Sequence, residues 1–166
     1  MCTCSAGNSA DQVEWPAAFK ATVGVSALGR KGWGPERATG HAWVPREPDR
    51  FGGEKLFLAS FSCFGSGINC AGPGVGIIST VPERFGLKAP YAAMDGTSLS
   101  SPAVCGALAG MLSESRNYKA LPRNAVRTHF AREMLERHCQ NVGLDMLYQG
   151  NGVPRMPVRR STSRRS

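Results

Sequence analysis

The stretch from Gly96 to Leu112, Gly-Thr-Ser-Leu-Ser-Ser-Pro-Ala-Val-Cys-Gly-Ala-Leu-Ala-Gly-Met-Leu, constrains this chain more than any other. Ser98, Ser100 and Ser101 suit the start of a helix, and a helix tolerates a proline such as Pro102 only near its beginning. From Ala103 the pattern is helical. Ala103, Gly106, Ala107 and Gly110 recur three or four residues apart as a strip of minimal side chains that lets another backbone approach, while Val104, Leu108, Met111 and Leu112 supply bulk for a core. The pattern predicts a buried helix, entered through a turn at Gly96 and Thr97 that follows an irregular segment. A serine in the first turn of such a helix lies beside unpaired backbone amides and the positive end of the helix dipole, where a developing oxyanion is stabilised. Read alone, Ser98 is more simply a cap on a core helix.

Upstream, residues 1 to 5 run into Ala6-Gly7-Asn8-Ser9, which reads as a strand ending in a Gly-Asn turn. Thr22 to Leu28 is a strand by its β-branched content. Residues 29 to 56, rich in Gly, Pro and charge, with Trp33 and Trp43 as isolated aromatics, read as a surface loop longer than most connections. The block that follows predicts a Ser-Phe-Ser turn, a turn at Ala71-Gly72-Pro73-Gly74 and an apolar strand from Val75 to Val81. Short parallel strands with such turns suit an α/β sheet covered on both faces. Asn124 to Cys139 alternates Val126, Phe130, Met134 and Leu135 with charges, an amphipathic surface helix whose arginines form a solvated face.

A chain of 166 residues with 42% hydrophobic and 19% charged residues builds one core and is not wholly disordered. Its net charge of +8 is concentrated: Arg155, Arg159, Arg160, Arg164 and Arg165 stand in the last twelve residues without an acid. Residues 157–166 read as a disordered, solubilising tail rather than a nucleic-acid or membrane attachment, because no aromatic residues interleave the arginines. No apolar run is long enough for a membrane span, and no signal peptide opens the chain, so localisation is left open: cytoplasmic for a whole protein, secreted for a fragment of a longer one. The six cysteines have no metal-ligand spacing; Cys105 reads as a small apolar residue inside the helix, and pairing of Cys63 with Cys70 depends on how their loop folds.

Gly96, Thr97, Ser98, Ser101, Pro102, Val104 and Gly106 match G-T-S-x-x-S-P-x-V-x-G, and on these residues the chain resembles the subtilisin-like serine peptidases. The resemblance makes Ser98 the nucleophile. Ser-Ala-Gly-Asn-Ser at 5–9 resembles that family's oxyanion-hole segment and makes Asn8 the side-chain donor to the reacting carbonyl, with Ser5, Ala6 and Gly7 on one wall of the pocket for the residue before the cut bond and Ser9 near its floor. It further implies a cis bond before Pro16, an insertion at 29–56, and a domain that closes at the Tyr148–Val153 glycine turn, so that residues 1–156 are the carboxy-terminal portion of the peptidase domain. The fold implied is α/β, a partial three-layer parallel-sheet subtilisin-like fold with its amino-terminal half missing.

The sequence departs from the family in two ways. Ala103 stands where a histidine often follows the proline, a packing position. The family's Asp and His belong upstream of Asn8, where neither residue occurs, and His41, His129 and His138 match no family setting, nor do Asp11, Asp49, Asp95 and Asp145. The expected function is therefore a serine-type endopeptidase acting through an acyl-enzyme on Ser98, here a fragment inactive alone, with peptide or protein substrates when complemented; the alternative is a non-catalytic remnant or interaction module. No cofactor is evident, and a structural calcium has no assignable ligands.

Overall fold

A computed structural model describes residues 1–34, 42–53, 55–82 and 90–156. His41 and the basic tail at 157–166 lie outside the described residues. The main sheet is built around β2 (Val23–Arg30), which pairs in parallel with β1 (Thr3–Ser5) on one edge and β4 (Ile68–Pro73) on the other. β3 (Leu56–Leu58) continues the β1 edge along the second half of β2, with Leu28 opposite Leu58, and runs antiparallel. A separate hairpin joins β5 (Ile77–Thr80) to β6 (Tyr91–Met94).

β2 is buried from Val23 to Gly29, and its alternation divides the molecule into layers. Val23 and Val25 pack under Val104 and Leu108 of α1 (Thr97–Glu114) and Leu135 of α3 (Ala125–Arg137). On the other face, the Ser26 hydroxyl donates to the Tyr148 carbonyl at 2.6 Å, and Leu28 packs on Val142 and Leu144, beside the short α4 (Met146–Gln149). A five-residue α2 (Arg116–Ala120) links α1 to α3, and β7 (Cys139–Gln140) pairs with β8 (Val153–Pro154). The Trp15–Pro16 bond is cis, as the resemblance implied.

Several expectations are corrected. The segment before Gly96 is a strand, because β5 supplies its hydrogen bonds. Ala71-Gly72-Pro73 continues β4 instead of turning; the bare Gly72 admits α1, since a β-carbon there would meet Ser100 Oγ at 2.8 Å and Val104 at 2.9 Å. β3 is antiparallel where parallel strands were expected. β2 extends to Arg30, so the segment read as a loop from residue 29 begins inside a strand, and Trp43 is no isolated solvent residue. Its ring meets Phe61 edge-on at 5.1 Å, and its indole N–H donates to Asp95.

Helix α1 also begins earlier than its apolar pattern, at Thr97, which places Pro102 inside it. Lacking an N–H, Pro102 leaves the Ser98 carbonyl without its i+4 donor. Only one face of α1 is buried, through Thr97, Ser100, Ser101, Val104, Leu108 and Met111. Contact of Ser100 and Val104 with Gly72 sets that rotation. Ala103, Cys105 and Gly106 are consequently exposed, and the small-residue strip admits no neighbouring backbone at Gly106.

In α3 the buried positions are Ala131 and Leu135, while Val126 is exposed. Asn124 caps this helix, accepting from the Val126 N–H at 3.0 Å. The arginines are not all solvated: Arg132 donates to the backbone carbonyls of Lys20 and Thr22, tying α3 to the entry of β2. All six cysteines are free thiols, and Cys139 packs against the cluster that holds Cys70, while Cys63 lies in a separate cluster with Ala6 and Ile68. Contact with Cys139 and burial push the Cys70 thiol up, while contact with Cys70 draws Cys139 down against the opposing effect of burial.

Gln149 closes the carboxy-terminal turn from inside. Its Oε1 accepts from the buried Val142 N–H at 2.9 Å, and its Nε2 donates to the Leu144 carbonyl and to Asn141 Oδ1. Gln149→Leu keeps most of the volume but leaves two buried backbone groups unpaired. Each such group costs about 1–3 kcal/mol, so urea unfolding should report a loss of about 2–4 kcal/mol. A loss under ~0.5 kcal/mol would show that water replaces these bonds.

Candidate active site

The site forms beyond the carboxyl ends of the parallel strands, the position at which open α/β sheets bind ligands. β1 ends at Ser5 and delivers Asn8 three residues later; β4 ends at Pro73 and delivers Gly74, whose carbonyl accepts from the Gly96 N–H at 2.8 Å. Ser100 Oγ donates to the Ser26 carbonyl at 2.6 Å, pinning the first turn of α1 to the central strand. The nucleophile candidate is thus placed by the sheet.

Gly96 turns the chain into α1 with φ of +151°, a conformation that favours glycine. A β-carbon at that point would lie 3.1 Å from Ser98 Oγ and 3.5 Å from Asn8 Nδ2, so the hydroxyl and the side-chain amide flank the same small space. Both residues are exposed. Ninety residues apart in the chain, Asn8 and Ser98 are brought together.

The orientation of Asn8 follows from Thr97, a residue to which the sequence motif assigned no role. Asn8 Oδ1 accepts from the Thr97 N–H at 3.0 Å and from the Thr97 hydroxyl at 2.9 Å. Because both partners donate, the oxygen of the amide must face Thr97, and the NH₂ is turned away, toward Gly96. Thr97 Oγ1 in turn accepts from the Gly7 N–H at 3.3 Å. The threonine is buried, so this bridge is shielded from water.

Ser98 is the second residue of α1, within the first turn whose backbone N–H groups have no intrahelical acceptor. Its own N–H and Asn8 Nδ2 are therefore the two donors available to one oxyanion, in the positive field of an 18-residue helix.

Ser5, Ala6 and Gly7 sit as follows. Ala6 is fully buried against Cys63 and Ile68; its N–H goes to Val25 and its carbonyl to the Glu14 N–H. It offers a ligand no free group and serves to place its neighbours. Gly7 is partly exposed, with φ of +112°, and its carbonyl accepts from Cys63. Ser5 is half-buried at the end of β1. Ser9 is exposed beside them.

The two described histidines are elsewhere. His129 lies 3.4 Å from Glu133 one turn along α3, and His138 Nδ1 contacts the Met134 carbonyl. Asp95 holds Gly76 N–H and Trp43, Asp145 caps α4, and Asp49 accepts from Tyr148, whose phenol that bond raises above its ordinary pKa. Among the described residues no group of three or more His, Cys, Asp or Glu is placed to hold a metal ion, and no helix is long and apolar enough to cross a membrane.

Thr97→Val removes the hydroxyl and retains the N–H. With one of two bonds to Asn8 lost, the amide is less firmly aimed, and in the chain complemented with an Asp- and His-bearing half, labelling of Ser98 should slow about tenfold, with Thr97→Ser close to the parent. Serine-probe labelling rates measure this directly. Equal rates for all three would mean that Thr97 does not orient Asn8.

Known proteins share both the sequence and the fold. Subtilisin DY from Bacillus licheniformis is 36% identical over 95 residues, covering 57% of this chain and 30% of that protein. Halolysin from Haloferax mediterranei is 30% identical over 149 residues, 89% of this chain and 22% of its own. A thermophilic serine proteinase from Bacillus sp. strain AK1 is 43% identical over 60 residues, 36% of this chain and 14% of that one. Among solved structures, a lanthipeptide protease superposes with a TM-score of 0.60 at 20% identity, covering 91% of this chain and 47% of its own. Fervidolysin from Fervidobacterium pennivorans, a keratinolytic enzyme related to subtilisin, gives 0.58 at 21%, over 91% of this chain and 21% of its own. The chain thus spans less than half the length of each of these proteins. The subtilase family pattern itself matches residues 1–152, and the chain belongs to the subtilase family, peptidase S8.

Proposed function

We propose that this chain carries the nucleophile and the oxyanion hole of a serine endopeptidase, with Ser98 forming the acyl-enzyme and Asn8 Nδ2 and the Ser98 N–H receiving the carbonyl oxygen. The observation that supports this best is the meeting of Asn8 Nδ2 and Ser98 Oγ about Gly96. Ser98 attacks the scissile carbonyl carbon; the π electrons move to oxygen, and the two donors hold the resulting charge. Collapse of the tetrahedral intermediate expels the amine, which takes up the proton that a base removed from Ser98, and leaves the ester on Ser98 for water to hydrolyse.

Attack also needs a base for the hydroxyl proton and an acid to orient that base. Among the described residues no histidine is hydrogen-bonded to Ser98, and His129 and His138 contact Glu133 and the Met134 carbonyl instead. We infer that base and acid come from a complementing segment bearing the family's Asp and His, and that the chain by itself is a poor catalyst. Peptides or proteins would be the substrates of the complemented chain. The tail at 157–166 is read as solubilising, without a role in nucleic-acid binding.

The test is labelling by an alkyl fluorophosphonate, with and without the Asp- and His-bearing half of a subtilase domain added in trans. The expected result is labelling at Ser98 that requires the added half and vanishes in Ser98→Ala. Co-purification of the two halves without labelling would instead favour the reading of a non-catalytic interaction module.

A further inference from the structure

The residue next to the oxyanion donor carries a feature that the motif does not contain. Gly7 has no side chain, and its bare α-carbon is covered by the carboxylate of Glu14: a β-carbon on Gly7 would meet the Glu14 carboxyl carbon at 2.4 Å and each of its oxygens at 2.7 Å. The chain loops back to make this contact. Glu14 N–H donates to the Ala6 carbonyl at 2.8 Å, returning residue 14 to the level of residues 6 and 7.

The two carboxylate oxygens are not equivalent. Oε1 accepts from the Ser9 hydroxyl at 2.8 Å and from the Cys63 thiol at 3.7 Å, while Ser9 Oγ and Cys63 Sγ are themselves 3.1 Å apart. These contacts fix the rotamer. Oε2 has no hydrogen-bond partner among the described residues, and no lysine, arginine or histidine among them pairs with Glu14. In a chain of net charge +8 this is an exposed carboxylate with no cation paired to it among the described residues.

Position decides what meets it. The reacting carbonyl would lie between Asn8 Nδ2 and the Ser98 N–H, and Gly7 is one residue, about 3.8 Å of backbone, from Asn8. The substrate group attached beside that carbonyl is the side chain of the residue whose acyl bond is cut. A long side chain there reaches Gly7 and, lying on it, Oε2 of Glu14.

We propose that Glu14 is the specificity-determining residue of this site and selects substrates with a cationic side chain, lysine or arginine, immediately before the cut bond; this rests on the serine-peptidase reading above. A guanidinium or ammonium supplies the donors that Oε2 lacks. An acidic side chain would face the carboxylate at contact distance and be rejected. A neutral aliphatic one would bury Oε2 without a partner.

The probe is benzamidine, a planar cation the size of such a side chain, titrated into the full chain with ¹⁵N-resolved NMR as readout; benzamide is its neutral counterpart. Binding of this kind needs no reaction at Ser98, so its result stands apart from the labelling test. Benzamidine should shift the amides of Gly7 and Ser9 and bind about 10- to 100-fold more tightly than benzamide, and Glu14→Gln should remove that difference. Comparison of the two probes on the unaltered chain keeps the proposal testable even if Glu14→Gln fails to fold. Equal affinity for benzamidine and benzamide, or benzamidine shifts confined to other amides, would overturn it. In the complemented chain, a lysine-type peptidyl phosphonate should label Ser98 about tenfold or more faster than its norleucine analogue; equal rates with intact fluorophosphonate labelling would reject the specificity while leaving the nucleophile in place.

Discussion

Replacing Asn8 by leucine in the complemented chain is expected to slow phosphonylation of Ser98 by about a hundred- to a thousandfold, the loss measured in subtilisin when the corresponding side-chain donor is removed. The side chains are similar in volume, so the backbone turn at residues 7–9 should persist. What disappears is a donor held in place before any charge develops. Thr97 holds the amide oxygen through two bonds, so Nδ2 needs no reorganisation when the carbonyl oxygen becomes negative. Probe affinity should change far less than rate, because a ground-state carbonyl gains little from that donor. Rate constants for labelling against probe concentration separate the two. A fall in affinity with an unchanged limiting rate would place Asn8 in ground-state binding instead.

The largest expected effect on stability lies at Gly152. Gly152→Ala puts a methyl 2.2 Å from the Gln140 carbonyl oxygen and 2.5 Å from its carbon, on a backbone with φ of +109°. Backbone strain of that type costs about 1–3 kcal/mol, and forced overpacking about 1–3 kcal/mol more. The neighbour cannot simply yield. Gln140 belongs to the β7–β8 pair, and the Gly152 carbonyl accepts from the Ala71 N–H of β4 at 3.0 Å, so movement there tears at the main sheet. A total near 4 kcal/mol is a large part of the roughly 5–15 kcal/mol that holds a domain of this size together. The variant should melt well below the parent in calorimetry. A melting temperature within a degree or two of the parent would contradict the packing described for this turn.

Much of the candidate site was legible because its residues lie in contiguous motifs. Gly96-Thr97-Ser98 and Gly7-Asn8 are local signals, and the chemistry of a hydroxyl and an amide at strand and helix ends is readable from residue type. The helix around Val104 and Leu108 was legible for the same reason. Its rotation was not, since what turns Ser100 and Val104 inward is Gly72, close in space but distant in sequence. Likewise, Ala71-Gly72-Pro73 has the composition of a turn and yet completes β4, because β2 provides the partners. Tertiary pairing overrode local propensity.

The least legible features were those whose meaning depends on a fold-back. Glu14 is an ordinary exposed glutamate in sequence, and only the return of residue 14 to the Ala6 carbonyl lays it on Gly7. The role of Thr97 was hidden in plain view inside the motif. Its spacing from Asn8 carries no periodicity to notice, so only the two bonds to Oδ1 reveal it.

Asn8 and Ser98 flank one carbonyl-sized space, and a crystal structure of the chain phosphonylated in the presence of its complementing half would examine that space directly. The result expected is phosphorus bonded to Ser98 Oγ, with the phosphoryl oxygen within about 3.1 Å of both Asn8 Nδ2 and the Ser98 backbone nitrogen. Phosphorus on another residue, or a phosphoryl oxygen turned to solvent with Asn8 still bound to Thr97, would contradict it.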